Sequence, residues 1–574
     1  MYISNVYIEN FRNFSKINIP LKQFTIISGK NDSGKSNFID ALNIVLYNDR
    51  SSYYAKSLSK YDFNKECIDN FDSNVRSFYN KTKDNFNIDD YIKLLMSEAP
   101  KVVIRLRFED PKDVYEQALL RDWLNGDEAL QFFEVEYIYF LKNVLRLRKI
   151  INELINEDLL KERHADFQLF LDCYEYSLKS TNNDKDVDIT KIRYFVANNI
   201  GAERDYFAGS DTAISTKIIT NIIDRSLNSK DKATLTRKYD DFFKGIQSLK
   251  SFKCIYDDII SQNKSIEDFI NEIKLVPNAK KYKDIIENIT LSYGNDMLFQ
   301  RGLGTRNLIF LLTLYSHFLY EIPNRFNIVS IEEPESHLDI NNLKTAIEFF
   351  MKAKSKKSMT QLIISTHNNQ IMNKLELINV VIILNGNNAI ALSEMDSELV
   401  YYLAKRENFD TLNMLYATKL ILVEGATEEI YINSLLHNEA SLNNIRVISI
   451  GQKGFKMFIK AWLFFHKSTD DKLGVIRDYD NQKQAKIDHE SYNSDSILVR
   501  TSSDVEFEYD FINETNNLEK LNELFNAKYN KKEMYDHIIS DKLNNIITIC
   551  NAIDEGKDFS TPEYISSLLE WIKK

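Results

Sequence analysis

Residues 29–36 read GKNDSGKS, a complete G-x-x-x-x-G-K-S pattern, and no other stretch constrains the fold as tightly. The apolar run FTII stands just ahead of it, and NFIDALNIV, with helical spacing, stands just behind. Strand, glycine loop and helix in that order make a phosphate cradle. Gly29 and Gly34 let the loop close tightly with its N–H groups turned inward. Lys35 reaches the β- and γ-phosphates, Ser36 offers a hydroxyl to Mg²⁺, and the helix start favours an anion. Gly29, Asn31, Gly34, Lys35 and Ser36 are the expected nucleotide-binding residues, with ATP and Mg²⁺ as cofactors. Such a loop belongs at the strand ends of an open α/β sheet.

Composition sharpens this reading. The chain has 574 residues but only 15 glycines and 7 prolines, so each glycine is informative. Gly29, Gly34, Gly302, Gly304, Gly425, Gly451, Gly454 and Gly474 all fall in or beside candidate phosphate or metal loops. Net charge is −11, from 73 basic and 84 acidic residues. That excludes a histone-like polycation but not a local basic surface for nucleic acid. Cys67, Cys173, Cys254 and Cys550 are scattered and form no CxxC pair, as in a reduced intracellular protein. The N-terminus alternates like a strand and has no signal-peptide core, and no apolar run is long enough for a membrane span. A soluble cytoplasmic protein is expected.

Patterning along the chain predicts four parts. Residues 1–112 hold strands, the phosphate loop and a polar, irregular stretch over 49–98. Residues 113–283 show mostly helical spacing, interrupted by one strand near 193–207, and read as a helical insertion and possible dimerisation element. Residues 284–404 return to strands and helices, including a hairpin from VVIILNG and AIALSEM. Residues 405–574 begin a second α/β unit and end mainly in helices.

The third part supplies partners for the phosphate loop. NIVSIEEPESHLD places Glu332 and Glu333 at the end of an apolar strand. Glu332 is the expected Mg²⁺ ligand, and Glu333 the general base that polarises the attacking water. His367, just past the strand QLIIST, is placed to sense the γ-phosphate. Gly302 and Gly304, flanked by Arg301 and Arg306, precede a helix and form a second anion-binding start.

The fourth part carries carboxylates. LILVEGATEE ends a strand in Glu424, turns at Gly425 and puts Glu428 in the first turn of a helix. GVIRDYD ends another strand in Asp478 and Asp480, which share one side of an extended chain. Such clusters suit hard cations, Mg²⁺ or Mn²⁺, which can activate water for phosphodiester cleavage.

These motifs together carry a resemblance. The first and third parts resemble ABC-type ATPases of the RecF/SMC kind, with MYISNVYIENFRNF as the opening strand and turn. The resemblance implies head-to-head dimers with ATP between one P-loop and the other subunit's signature segment. Here that segment is RGLGTRN, and Gly304 is its nucleotide-facing glycine. Residues 412–500 resemble a Toprim domain. This implies Glu424 as the catalytic acid, Glu424, Glu428, Asp478 and Asp480 as metal ligands, and GQKGF (Gly451, Lys453, Gly454) as the loop after the second strand.

An ABC/RecF-like ATPase with a helical insertion followed by a C-terminal Toprim domain resembles the OLD family of ATP-dependent endonucleases. In length and layout it is similar to the nuclease subunits of Gabija anti-phage systems. The resemblance implies a further acidic pair, matched by Glu508 and Asp510 as metal ligands, and a catalytic lysine, matched by Lys542. Glu506 and Lys532 are the alternatives at those places. It also implies DNA as substrate, homodimers or higher homo-oligomers through the heads and the insertion, and a UvrD-type helicase partner. The rival reading is a RecF/SMC-like DNA-binding ATPase in repair, its Toprim domain structural.

Overall fold

The computed structural model describes the chain apart from residues 47–55, 83–84, 126–131, 182–185, 188, 202–219, 221–222, 225–226, 250–291, 295, 321–324, 355–359, 369–376, 385, 406–410, 438–443, 452–453, 468–469, 480 and 505. The described chain forms two units, Met1–Asn368 with Val381–Ala389, and Asn369–Val380 with Ile390–Lys574.

In the first unit, two kinds of strand sequence sort into two kinds of sheet. β1 (Tyr2–Phe11), β2 (Phe14–Pro20), β4 (Val102–Glu109), the short β5 (Leu124–Asn125), β6 (Phe132–Leu141) and β7 (Tyr174–Ser180) form an antiparallel sheet. β6 shows why: Val135, Tyr137, Tyr139 and Leu141 are buried while the residues between them are not. Period-two burial suits a sheet with one covered face. β3 (Phe24–Gly29), β8 (Phe195–Ile200), β11 (Phe326–Glu332), β12 (Thr360–Thr366), β13 (Val380–Leu384) and β14 (Asn388–Ala391) form the second sheet, in the order β14-β13-β3-β12-β11-β8. Every residue of β3 is buried, as are all but the first of β12 and all but the last of β11. Such runs belong in parallel sheets covered on both faces, and β3, β12, β11 and β8 are parallel. Helices α1 (Lys35–Val45), α2 (Leu303–Tyr320) and α3 (Ile340–Lys354) follow in this unit. A two-residue hairpin, β9 (Ser292–Tyr293) with β10 (Asp296–Met297), precedes α2.

Buried side chains tie the two sheets: Phe108 of β4 packs on Phe195 of β8 and Phe326 of β11. Gln361 of β12 donates to the carbonyls of Ile3 (2.8 Å) and Lys22 (2.9 Å) and accepts from the Ile3 N–H (2.9 Å).

One expectation needs correction and one is extended. Residues 49–98, read as irregular, contain the helices Lys65–Thr82 and Ile88–Glu98. Their polarity hid a narrow buried stripe, Phe71 and Val75 in one and Tyr91, Ile92 and Leu95 in the other, with Asn87 capping the second. Residues 113–283, read as mainly helical with one strand, hold more helix than strand among their described residues, including Val144–Asn156 and Ser229–Ser248, but add strands β5 to β7 to the one expected. The alternating aromatic and β-branched residues of FFEVEYIYFL outweigh the charged flanks that read as helix. The strand expected near 193–207 is β8, on the edge of the parallel sheet.

The second unit is built on a four-stranded parallel sheet, β16-β15-β17-β18: β15 (Lys419–Val423), β16 (Ile445–Ser449), β17 (Lys472–Arg477) and β18 (Ile497–Thr501). Helices α4 (Ala426–His437) and α5 (Phe455–Phe465) follow β15 and β16. After β18 come α6 (Phe507–Asn513), α7 (Lys542–Asp554) and α8 (Glu563–Lys573). One apolar core, including Ile421, Tyr431, Phe511, Ile549, Ile565 and Leu568, joins the sheet to these helices. Each such fully buried side chain contributes about 1.5–3 kcal/mol, so the C-terminal helices are part of this fold. Among the described residues no helix is long and apolar enough to cross a membrane.

Candidate functional sites

The first unit assembles its candidate nucleotide site at one edge of its parallel sheet. Strand register brings the parts together: Ser28 of β3 lies opposite Thr366 of β12, and Ser365 of β12 opposite Glu332 of β11. The C-terminal ends of three strands are therefore flush. A Cβ on Gly29 would lie 2.9 Å from the Ile383 carbonyl, and Gly34 takes a φ of +109° beside the Phe14 ring. Neither position tolerates a side chain without a shift. Asn31 is exposed at the loop tip.

Lys35 is buried and folds back, its Nζ donating to the carbonyls of Gly29 (2.9 Å) and Lys30 (3.0 Å). Burial lowers its pKa, against the opposing pull of Glu333, Glu335 and Asp32. Ser36 Oγ donates to Glu332 Oε2 at 2.7 Å, so the expected pair of Mg²⁺ ligands already meets. Glu332 Oε1 accepts from Asn199 Nδ2 of β8 at 2.7 Å. The turn after β1 buttresses the loop: Asn13 Nδ2 donates to the Ser33 carbonyl (2.9 Å), and Arg12 pairs with Asp40 (2.5 Å) and Asp62 (3.1 Å).

Glu333 takes a left-handed φ of 43°, and its N–H donates to the Ser365 carbonyl at 2.8 Å. A non-glycine residue held there costs about 1–2 kcal/mol, a strain of the kind that clusters at functional sites. His367 Nδ1 lies 3.6 Å from Glu333 Oε1 and 3.5 Å from Glu335 Oε1. Glu335 also accepts from Thr366 Oγ1 (2.6 Å) and the His367 N–H (3.2 Å). Sequence reasoning passed over Glu335 and Asn199. The E-E-P-E spacing carried a signal for the first; an asparagine on an edge strand carried none for the second. Gly304 stands in the first turn of α2, and a Cβ there would meet only the His337 carbonyl (3.0 Å) and Asn342 (3.7 Å). Its glycine is explained by that approach, and within this chain it does not touch the phosphate loop.

The second unit gathers carboxylates at the C-terminal ends of β15 and β17. Glu424 follows β15, and its Oε2 accepts from the Asp478 N–H at 3.4 Å. Glu428 is buried and bonded to Thr427 Oγ1 at 3.1 Å. Glu508 of α6 is fully buried and ion-paired with Lys542 of α7 at 3.0 Å. Lys542 also reaches Glu506 at 3.4 Å, and Glu506 accepts from the Tyr535 hydroxyl. Burial works against the Lys542 charge, but Glu508 and Glu506 outweigh it and raise its pKa. The alternatives Glu506 and Lys532 thus separate: Glu506 joins the pair, and Lys532 is exposed. Asp510, expected as a ligand beside Glu508, has its carboxylate engaged by the N–H groups of Ser503 (2.7 Å) and Asp504 (3.0 Å). Asp480 and Lys453 lie outside the described residues.

Among the described residues no three Asp, Glu, His or Cys side chains converge closely enough to hold a metal ion. The donor chemistry nonetheless fits a hard cation, since Glu424, Glu428, Asp478 and Glu508 offer only carboxylate oxygens. Burial, then Glu428, Glu424 and Glu508, push Asp478 up to about 8, with Lys542 opposing. An unfolded aspartate titrates near about 3.9. Between about pH 4 and 8 the folded chain therefore holds a proton that the unfolded chain has released, and stability falls as pH rises through that window. Asp478→Asn mimics the protonated form. Thermal midpoints of metal-free wild type and Asp478→Asn should agree below about pH 4 and diverge progressively up to about pH 8, with wild type the less stable. Parallel profiles would mean that Asp478 ionises normally.

Comparison with known proteins follows the same division. A family model described as an AAA ATPase domain matches residues 1–372. One described as an Overcoming lysogenization defect protein-like TOPRIM domain matches residues 415–480. The chain is 22% identical over 530 residues to an Endonuclease GajA of Bacillus cereus (strain HuB5-5), covering 77% of this chain and 72% of that protein. It is 23% identical over 481 residues to an Endonuclease GajA of Bacillus cereus (strain VD045), covering 80% of this chain and 72% of that protein. Among solved structures, the SMC head domain from Thermotoga maritima aligns at 16% identity over 68% of this chain and 99% of that one, with a TM-score of 0.29.

Proposed function

The chain belongs to the AAA ATPase domain family, and on that premise we propose that it is a divalent-metal-dependent DNA endonuclease regulated by its own nucleotide site. The observation that carries the nuclease reading is the set of Glu424, Glu428, Asp478 and Glu508, acting electrostatically on one another at parallel strand ends beside Lys542. Its similarity to two proteins called Endonuclease GajA supports the same chemistry.

Glu424, Glu428 and Asp478 would hold Mg²⁺ or Mn²⁺, with Glu508 and Asp480 completing the set. A bound cation there supplies Lewis acidity for phosphodiester hydrolysis. Lys542, kept charged by Glu508 and Glu506, is placed to stabilise charge on the scissile phosphate. In the first unit, Lys35 and the loop N–H groups hold the triphosphate, Ser36 and Glu332 hold its Mg²⁺, and Glu333 orients water, with His367 and Glu335 behind it. Gly304 would serve a second subunit's nucleotide in a head-to-head dimer. Anti-phage defence, with a UvrD-type helicase as partner, is the biological setting this reading carries.

One observation favours the rival reading of a DNA-binding ATPase with a structural Toprim domain: no metal shell is preformed among the described residues. Supercoiled plasmid separates the two. The nuclease reading expects nicked or linear product only with Mg²⁺ or Mn²⁺, at a rate that changes when ATP is added. DNA binding without cleavage in every cation would establish the rival. A rate indifferent to ATP would remove the regulatory part alone.

A further inference from the structure

Helix α8 runs antiparallel to the strands it covers. Its last turn lies at their N-terminal ends, where Lys419 Nζ donates to the Lys573 carbonyl (2.9 Å) and Lys472 Nζ to the Trp571 carbonyl (3.2 Å). Its first turn therefore lies at the carboxylate end. Contact is close: a Cβ on Gly474 of β17 would sit 2.7 Å from Leu568 Cδ2. Tyr564 is one turn before Leu568 on the same face, and helical side chains lean toward their helix's N-terminus. Its ring is thus carried from Gly474 toward Asp478.

Tyr564 is 6% exposed, and its hydroxyl is buried without a hydrogen-bond partner among the described residues. A buried hydroxyl left unpaired is a net cost to a fold, and phenylalanine would fill the same space without it. Burial, then the charges of Asp510, Asp478, Glu428 and Glu508, push the phenol well above its ordinary value. The hydroxyl keeps its proton and faces a cluster made of acceptors.

We propose that Tyr564 is a positioning residue of the carboxylate centre, its unpaired hydroxyl donating a hydrogen bond to those carboxylates when they close around a divalent cation. The inference rests on reading the cluster as a cation centre. Partners behind metal ligands orient them, and their loss weakens binding about 10–100-fold.

Mn²⁺ titrated calorimetrically into the full chain, without nucleotide or DNA, tests this. Wild type should bind, Glu424→Ala should lose that binding, and Tyr564→Phe should bind about 10-fold or more weakly. The metal-free thermal midpoint of Tyr564→Phe should equal or exceed that of wild type. Unchanged Mn²⁺ affinity in Tyr564→Phe, beside loss in Glu424→Ala, overturns the role of Tyr564 and leaves the cation centre standing. A lowered metal-free midpoint also overturns it, because the hydroxyl would then be serving the fold. No Mn²⁺ binding in wild type overturns the cation centre and, with it, this inference.

Discussion

Glu424→Ala should abolish DNA cleavage while leaving the fold and ATP turnover intact. Glu424 stands where β15 gives way to the turn before α4, and its carboxylate meets the Asp478 N–H across the strand ends. It is only partly buried, so alanine there opens no core cavity. The substitution removes one of the negative charges that hold Asp478 protonated, so the metal-free protein should lose no stability. Loss of an outer partner of a metal ligand already costs about 10–100-fold, so loss of a ligand should cost more than about 100-fold in cleavage rate. Linearisation of plasmid in saturating Mg²⁺ measures it. Wild-type rates in Glu424→Ala would move the phosphodiester chemistry away from this centre.

Lys35→Ala should abolish ATP hydrolysis. The lysine waits in the loop, bonded to the Gly29 and Lys30 carbonyls. A nucleotide's phosphates are far stronger acceptors than these carbonyls, and charge-assisted bonds are about twice as strong as neutral ones. Removing one donor aimed at developing transition-state charge costs about 100–1,000-fold in turnover. Phosphate release under excess ATP is the measurement, and turnover within about tenfold of wild type would place hydrolysis elsewhere. The variant also tests regulation. An effect of ATP on plasmid cleavage should vanish in Lys35→Ala, whereas an ATP effect that persists would not run through this loop.

The two sites were legible to different depths. The phosphate loop and Glu332 were legible because their chemistry is written in contiguous residues: apolar strand, glycine turn, charged end. Glu424, Glu428 and Asp478 were legible for the same reason. Lys542 and Glu508 lie on separate helices, and family resemblance, more than local pattern, pointed to them; the structure joins them at 3.0 Å. Asp510, matched in the same acidic pair, differs from Glu508 in its partners: its carboxylate accepts from backbone N–H groups, whereas that of Glu508 meets Lys542. Residues 132–141 were hidden by their setting, because charged helical flanks masked a short period-two run.

By itself the sequence determined which strand ends are candidates for phosphate and cation chemistry, since an apolar run forces a buried strand and its terminal polar residues must emerge at the sheet's edge. Only the tertiary structure decided which distant side chains support those ends. Asn199 reaches Glu332 because β8 lies beside β11, and Glu335 reaches His367 because β11 lies beside β12. Tyr564 lies toward the carboxylate end of the sheet because α8 runs antiparallel to β17. Strand order and helix direction are properties of packing over long sequence separations, where many alternative pairings satisfy the same local pattern and only the joint burial of the whole core selects one.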